Sequence, residues 1–317
     1  MSGHLEAGAR WALRAGLVAS AAVLLAGCDD ADSTTAPTTL PGSRFDAQRA
    51  FRDLRAQARL GSRPAGSPGA RREVRLIIRR LRKAGVSGVR LQGPHRNVVA
   101  TIPGAEPGTV VVGAHYDTKD IPGFVGANDG ASGVAVLLEL ARALPRRLPG
   151  PSLHLAFFDA EEAQGRAGGP TAFAGSGDRG SGQFVRYADA GGRQGSPPIG
   201  EIRAMVLFDM VGDCDLRIPR EANSDSGLYD LFVRAAAARS GSGSSWPFVG
   251  EAGGVLDDHT PFADAGIPAA DLIDFDYGPG PSPGSWWHTR RDNLRHVCAG
   301  SLGAVGRSAL AALPAIR

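Results

Sequence analysis

Acidic and imidazole side chains stand in this chain where apolar runs stop. Leu155-Ala156-Phe157-Phe158 ends on Asp159-Ala160-Glu161-Glu162, the run at 110–114 ends on His115, and Leu207-Phe208 ends on Asp209. Asn128-Asp129-Gly130 precedes a helical pattern, and Trp287-His288-Thr289 adds a second histidine. A glutamate pair alone reads as a solvated turn, and what alters that reading is the company it keeps. His115, Asp129, Glu162, Asp209 and His288 are oxygen and nitrogen donors with no cysteine among them. Such a set suits a hydrolytic zinc site better than a structural one. Neighbouring residues at a strand end point in different directions, so Glu161 and Glu162 take separate jobs. One can hold a metal while the other faces substrate as a proton carrier. The isolated His95, His154 and His296 are read as surface or core residues.

The donors need a scaffold that gathers strand ends. Short apolar runs at 97–102, 110–114, 153–158, 205–209 and 269–273 read as strands, with a further alternating one at 86–91. Between and around them lie helical patterns, one carrying Phe45, Phe51 and Leu54, another Val74, Ile77 and Leu81. A third follows Asp129 with Val134, Leu137 and Leu138, and two more are expected at 228–238 and 299–313. Gly130, Ser132 and Gly133 allow the third helix to begin close against other backbone. The Gly-rich stretch 165–200 is expected to be a long loop with one helix near 183–190. Alternating strands and helices predict an α/β fold, a three-layer α/β/α sandwich with a mostly parallel central sheet. Ligands collect at the carboxyl edge of such a sheet, where each donor falls.

The 317 residues, 43% hydrophobic and 21% charged, suffice for one large domain, placed at 44–317. A net charge of +3 with dispersed arginines gives no case for nucleic acid. Arg10 and Arg14 precede an apolar run that stops at Cys28, so 1–27 reads as a signal peptide. Leu25-Ala26-Gly27-Cys28 resembles the bacterial lipobox, which implies a lipidated Cys28 at a membrane, in the periplasm or on the cell surface. An uncleaved anchor or an ordinary signal also leaves the catalytic part outside the cytoplasm. Residues 28–43 read as a flexible tether. Cys214 and Cys298 can form a disulfide or remain two buried thiols; their spacing leaves both open. A monomer is expected.

Together the motifs resemble the zinc aminopeptidase family and, within it, the glutaminyl-peptide cyclotransferase branch, over roughly residue 61 to the C-terminus. The resemblance implies that Asp129, Glu162 and His288 hold the main zinc. His115 and Asp209 match residues that complete a second site in the two-zinc aminopeptidases, bridged by Asp129, and cyclases with one zinc keep equivalents of both. Glu161 matches the general acid/base of both branches. Asp257-Asp258-His259 stands where aminopeptidases usually have Ser-Asp-His, and Trp286-Trp287-His288 resembles the aromatic wall of the cyclases. The stretches 64–69, 115–119, 124–129 and 291–293 are also cyclase-like. Gly130-Ala131-Ser132-Gly133 is nearer the peptidase version, Leu256 replaces a cyclase Gln, and the segment after Glu162 lacks the cyclase pocket Trp.

The implied reaction converts an N-terminal Gln of a peptide or protein to pyroglutamate with loss of ammonia. Glu161 would carry the proton, Asp257 and Asp209 would hydrogen-bond with it, and Trp287 would wall the pocket. One Zn²⁺ is expected for a cyclase. The alternative is an aminopeptidase with two Zn²⁺, and a third reading is a surface lipoprotein that kept the fold as a binding module.

Overall fold

A computed structural model describes residues 44–165 and 170–317. The expected signal peptide 1–27 and tether 28–43 lie outside the described residues. Among the described residues no helix is long and apolar enough to cross a membrane.

Two helices open the domain, α1 (Ala47–Ala58) and α2 (Pro68–Lys83). Each starts at a side-chain cap: Asp46 accepts the Arg49 N–H at 2.9 Å, and Ser67 accepts the Ala70 N–H at 3.0 Å, with Pro68 where a helix tolerates it. Strands β1 (Ser87–Gln92), β2 (Asn97–Ile102) and β3 (Thr109–His115) follow, then α3 (Ala131–Ala143) and β4 (Ser152–Phe158). The remainder contains α4 (Pro170–Ser176), α5 (Arg179–Asp189), β5 (Ile202–Asp209), β6 (Ile218–Glu221), α6 (Ser226–Ser240) and β7 (Phe248–Ala252). It closes with α7 (Thr260–Asp264), β8 (Ala269–Ile273) and α8 (Ala299–Ala312). The described part of 165–200 is therefore more ordered than a loop with one helix, since α4 and α5 both form there. The glycines that blur its apolar period do not prevent α5 from burying Phe184 and Ala188.

The main sheet has the order β1-β2-β4-β3-β5-β8. β3 pairs in parallel with β4 and β5, and β5 with β8, while β1 and β2 extend the sheet antiparallel. Side chains alternate between two cores, as a pleated strand requires. Val110, Val112, Leu155, Phe157, Val206 and Phe208 pack in the larger one with Leu54, Ile77, Leu137, Phe232 and Leu302 from α1, α2, α3, α6 and α8. Their sequence neighbours Val111, Ala156, Phe158, Met205 and Leu207 face the other way, against Phe184 of α5 and Phe262 of α7. Each large apolar side chain so buried contributes about 1.5–3 kcal/mol. Helices therefore cover both faces of the sheet.

The chain moves one way along the sheet from β3 to β4 and the other way from β5 to β8. The carboxyl ends of β3 and β5 thus flank a switch point, where a crevice opens. A separate two-stranded sheet, β6 and β7 in parallel, stands beside it. Cys214, in the loop after β5, is disulfide-bonded to Cys298 at the start of α8, which answers the pairing left open by their spacing.

Candidate active site

Strand ends deliver most of the site. His115 is the last residue of β3 and Asp209 the last of β5. Glu161 and Glu162 follow β4 through a turn in which Ala160 takes a left-handed φ of 62°, and His288 takes one of 51° in the loop after β8. Non-glycine residues enter that region only where the surroundings fix them. Asp129 sits just before α3, whose first turn touches β5. A Cβ at Gly133 would lie 2.0 Å from the Phe208 carbonyl oxygen, so only glycine permits this approach.

Two triangles of donors share Asp129. In the first, His288 Nε2 lies 3.4 Å from Asp129 Oδ2 and 3.3 Å from Glu162 Oε1. In the second, His115 Nε2 lies 3.3 Å from Asp129 Oδ1 and 3.1 Å from Asp209 Oδ1. Glu161 belongs to neither. Its carboxylate groups with Asp178 and Asp257, and its Oε2 is 3.8 Å from His115 Nδ1. The adjacent glutamates are thus divided between two clusters. Trp287 stacks on the His288 ring at 3.8 Å between centroids and meets Phe275 edge-on. Both tryptophan-side residues line a cleft of about 1500 Å³ together with Asp129, Glu161, Glu162 and Asp257.

Several site residues were given no role from sequence, although Asp117, Lys119 and Asp292 lie in stretches read there as cyclase-like. Asp117 accepts the backbone N–H groups of Glu161 and Glu162 at 3.2 and 3.3 Å. Asp292 does the same for Asn128 and Asp129 at 2.7 and 3.1 Å, and also accepts the Tyr277 hydroxyl. Each carboxylate therefore staples the backbone of a donor-bearing turn. Such bonds leave no spacing signature. The buried Arg63 guanidinium donates to the carbonyls of Gly61, Tyr116, Val125 and Gly126, fixing the loop between His115 and Asp129. Lys119 Nζ is 3.7 Å from Glu162 Oε2. Asp271, wholly buried in β8 with neither carboxylate oxygen hydrogen-bonded among the described residues, lies close enough to raise the pKa of Asp257. Here a signal existed: an acid inside an otherwise apolar, fully buried strand.

Charge is distributed unevenly. Burial opposes protonation of His115, but the carboxylates around it, Asp209 foremost, hold its pKa well above the usual value. Burial likewise opposes ionisation of Asp129, yet His115 and His288 overcome this and lower its pKa. Burial raises Glu161 well above the carboxylate range, with Glu162, Asp258 and Asp178 adding to the rise and His115 opposing it. Asp257 is raised strongly by burial, then by Asp271, Asp209 and Glu161.

Residues 97–313 match peptidase family M28. The chain belongs to that family. Within it, the chain falls in the glutaminyl-peptide cyclotransferase branch. It is 31% identical to the glutaminyl-peptide cyclotransferase of Bos taurus over 73% of this chain and 72% of that one. Its fold superposes on an Acidobacteriales bacterium glutaminyl cyclase with a TM-score of 0.75 at 32% identity, covering 90% of this chain and 99% of the other. A Porphyromonas gingivalis glutaminyl cyclase gives 0.70 at 28% identity, covering 85% and 98%. Of several other curated relatives, the chain spans only 54 to 60% of the length.

M28 enzymes are zinc-dependent, and the donors of this M28 chain fit the ion. Ligands 2.0–2.2 Å from a tetrahedral ion stand about 3.3–3.6 Å apart. The two measured edges of the first triangle have such spacings, and its Glu162 Oε1 is buried without a hydrogen-bond partner among the described residues. The second triangle also has a separation short enough for a direct hydrogen bond, His115 to Asp209.

Proposed function

We propose that this chain is a zinc-dependent glutaminyl-peptide cyclotransferase acting on peptide or protein N-termini. Asp129, Glu162 and His288 would hold one zinc, which when bound polarises the glutamine γ-carbonyl and stabilises the charge developing on its oxygen. Glu161 takes a proton from the attacking α-amine and hands it to the departing ammonia. Burial raises the pKa of the Glu161 carboxyl, Glu162, Asp258 and Asp178 add to the rise, and Asp257 groups with it, which suits a side chain that takes up and releases a proton. Trp287 and Phe275 form an apolar wall that excludes water from the amide, and Asp117 holds Glu161 and Glu162 in their divided orientations.

The observation that carries this reading is the separation of the buried Glu161 from both donor triangles and its grouping with Asp257. Asp257 supplies a second acid where the peptidases' motif carries serine. The test is to incubate the protein with Gln-initiated and Leu-initiated dipeptides and follow ammonia and freed amino acid separately. Ammonia from the Gln peptide alone is expected; a freed amino acid from the Leu peptide would overturn the reading. The His115–Asp129–Asp209 triangle is what favours the alternative, a two-zinc aminopeptidase, and a zinc count near two per chain would support that.

We further infer an extracytoplasmic protein tethered through a lipidated Cys28, with its catalytic domain at 44–317. The Cys214–Cys298 disulfide supports an oxidising compartment.

A further inference from the structure

The two-stranded sheet beside the crevice has a feature that the proposed chemistry does not use. Residues 249–257 line the cleft without a gap, from the start of β7 to Asp257. A strand that shows one face to a cavity contributes alternate residues, so an unbroken run means that β7 presents its edge. Among the described residues β7 pairs with β6 alone. Edges of this kind are usually blunted by lysine, proline or a covering segment. This one reads Phe-Val-Gly-Glu-Ala, with no lysine or proline inside it and all but Phe248 exposed, and only Glu251 and a left-handed Gly250 interrupt it. Space is open alongside it, because a Cβ at Gly250 or Gly253 would meet nothing within 4 Å. Val249 in the strand and Leu256 in the loop beyond it leave apolar side chains 40% and 42% exposed.

We propose that the free edge of β7 receives the substrate backbone beyond its N-terminal glutamine as an added strand. This rests on the cyclase reading for the position of the glutamine. A substrate whose first residue lies at Glu161 and Asp257 has its following residues beside the segment that leads away from Asp257 along β7. Main-chain hydrogen bonds give affinity in such pairing with little demand on side chains. The enzyme would therefore take extended, unstructured N-termini of varied sequence and favour peptides of four or more residues over dipeptides.

The test is an N-methyl scan of a Gln-initiated hexapeptide amide, each backbone amide from the third residue onward methylated in turn. Binding is measured by calorimetry with zinc-loaded Glu161→Gln protein, and ammonia release with the unaltered enzyme. Alternate amides of an added strand point toward the edge. Methylation should weaken binding about three- to tenfold at every second position and leave the others unchanged, the worth of one net hydrogen bond. A flat scan, or a dipeptide amide that binds as tightly as the hexapeptide, would overturn the edge proposal whether or not ammonia appears. A period-two scan without ammonia release would keep the edge and remove the cyclase reading.

Discussion

The two triangles of donors and the acid cluster behind them touch at Glu161, yet they solve opposite electrostatic problems. In the triangles Asp129, Glu162 and Asp209 stand against His115, His288 and the nearby Lys119, and the donors are spaced so that they could hold a cation. In the cluster Glu161, Asp178, Asp257, Asp258 and Asp271 lie together, with His115 acting on Glu161, Asp178 and Asp258. Burial and mutual repulsion raise the pKa of such carboxyls and so favour their protonated forms. On the proposed reading, one region would bind a metal and the other would store and move protons. Adjacent residues, Glu161 and Glu162, were divided between them by a single left-handed turn at Ala160.

If this division holds, breaking the metal side has the largest effect. His288→Ala removes a donor from the first triangle, and metal-ion stabilisation is worth several kcal/mol. Ammonia release should fall about 10³-fold or more, with zinc content dropping in parallel by elemental analysis. An intermediate loss is expected on the acid side. Asp257→Asn keeps the shape but removes an ionisable partner of Glu161, so kcat should fall about 10- to 10²-fold as part of the general acid/base contribution, with zinc retained. A loss of zinc in this variant would merge the two regions.

The smallest effect is on stability. Burial lifts Asp178 from 3.8 to about 7, ahead of a further rise from Asp264 and an opposing pull from His115. A folded-state pKa raised above the unfolded value means that the folded form holds a proton the unfolded form has lost. Stability from this group is thus full below pH 3.8 and is lost as pH rises toward about 7. Denaturation of the zinc-loaded protein across that range should show a shallower decline for Asp178→Asn than for the unaltered chain. Equal slopes would mean that Asp178 titrates as an ordinary carboxyl.

The same contrast explains what could be read from sequence. Donors at the ends of β3, β4 and β5 announce themselves, because an apolar run that stops at a His, Glu or Asp is a linear pattern. β8 was legible at 269–273 for the same reason, a buried run with turns at both ends. The Asp117 and Asp292 staples were not, since they bond to backbone N–H groups that every residue has. β6, β7 and α7 escaped too: β7 is exposed, is interrupted by Gly250 at φ 81°, and shows no alternation because neither face is the buried one. Asp271 could have been found by asking why an acid sits within the buried run Ala-Ala-Asp-Leu-Ile.

The most direct test of the division is zinc content and turnover measured together on Glu161→Gln. The account predicts zinc bound as in the unaltered chain, with ammonia release reduced about 10²- to 10⁴-fold. Zinc lost along with activity would make Glu161 a ligand, and turnover retained with zinc in place would leave the proton carrier to another residue; either result contradicts the assignment.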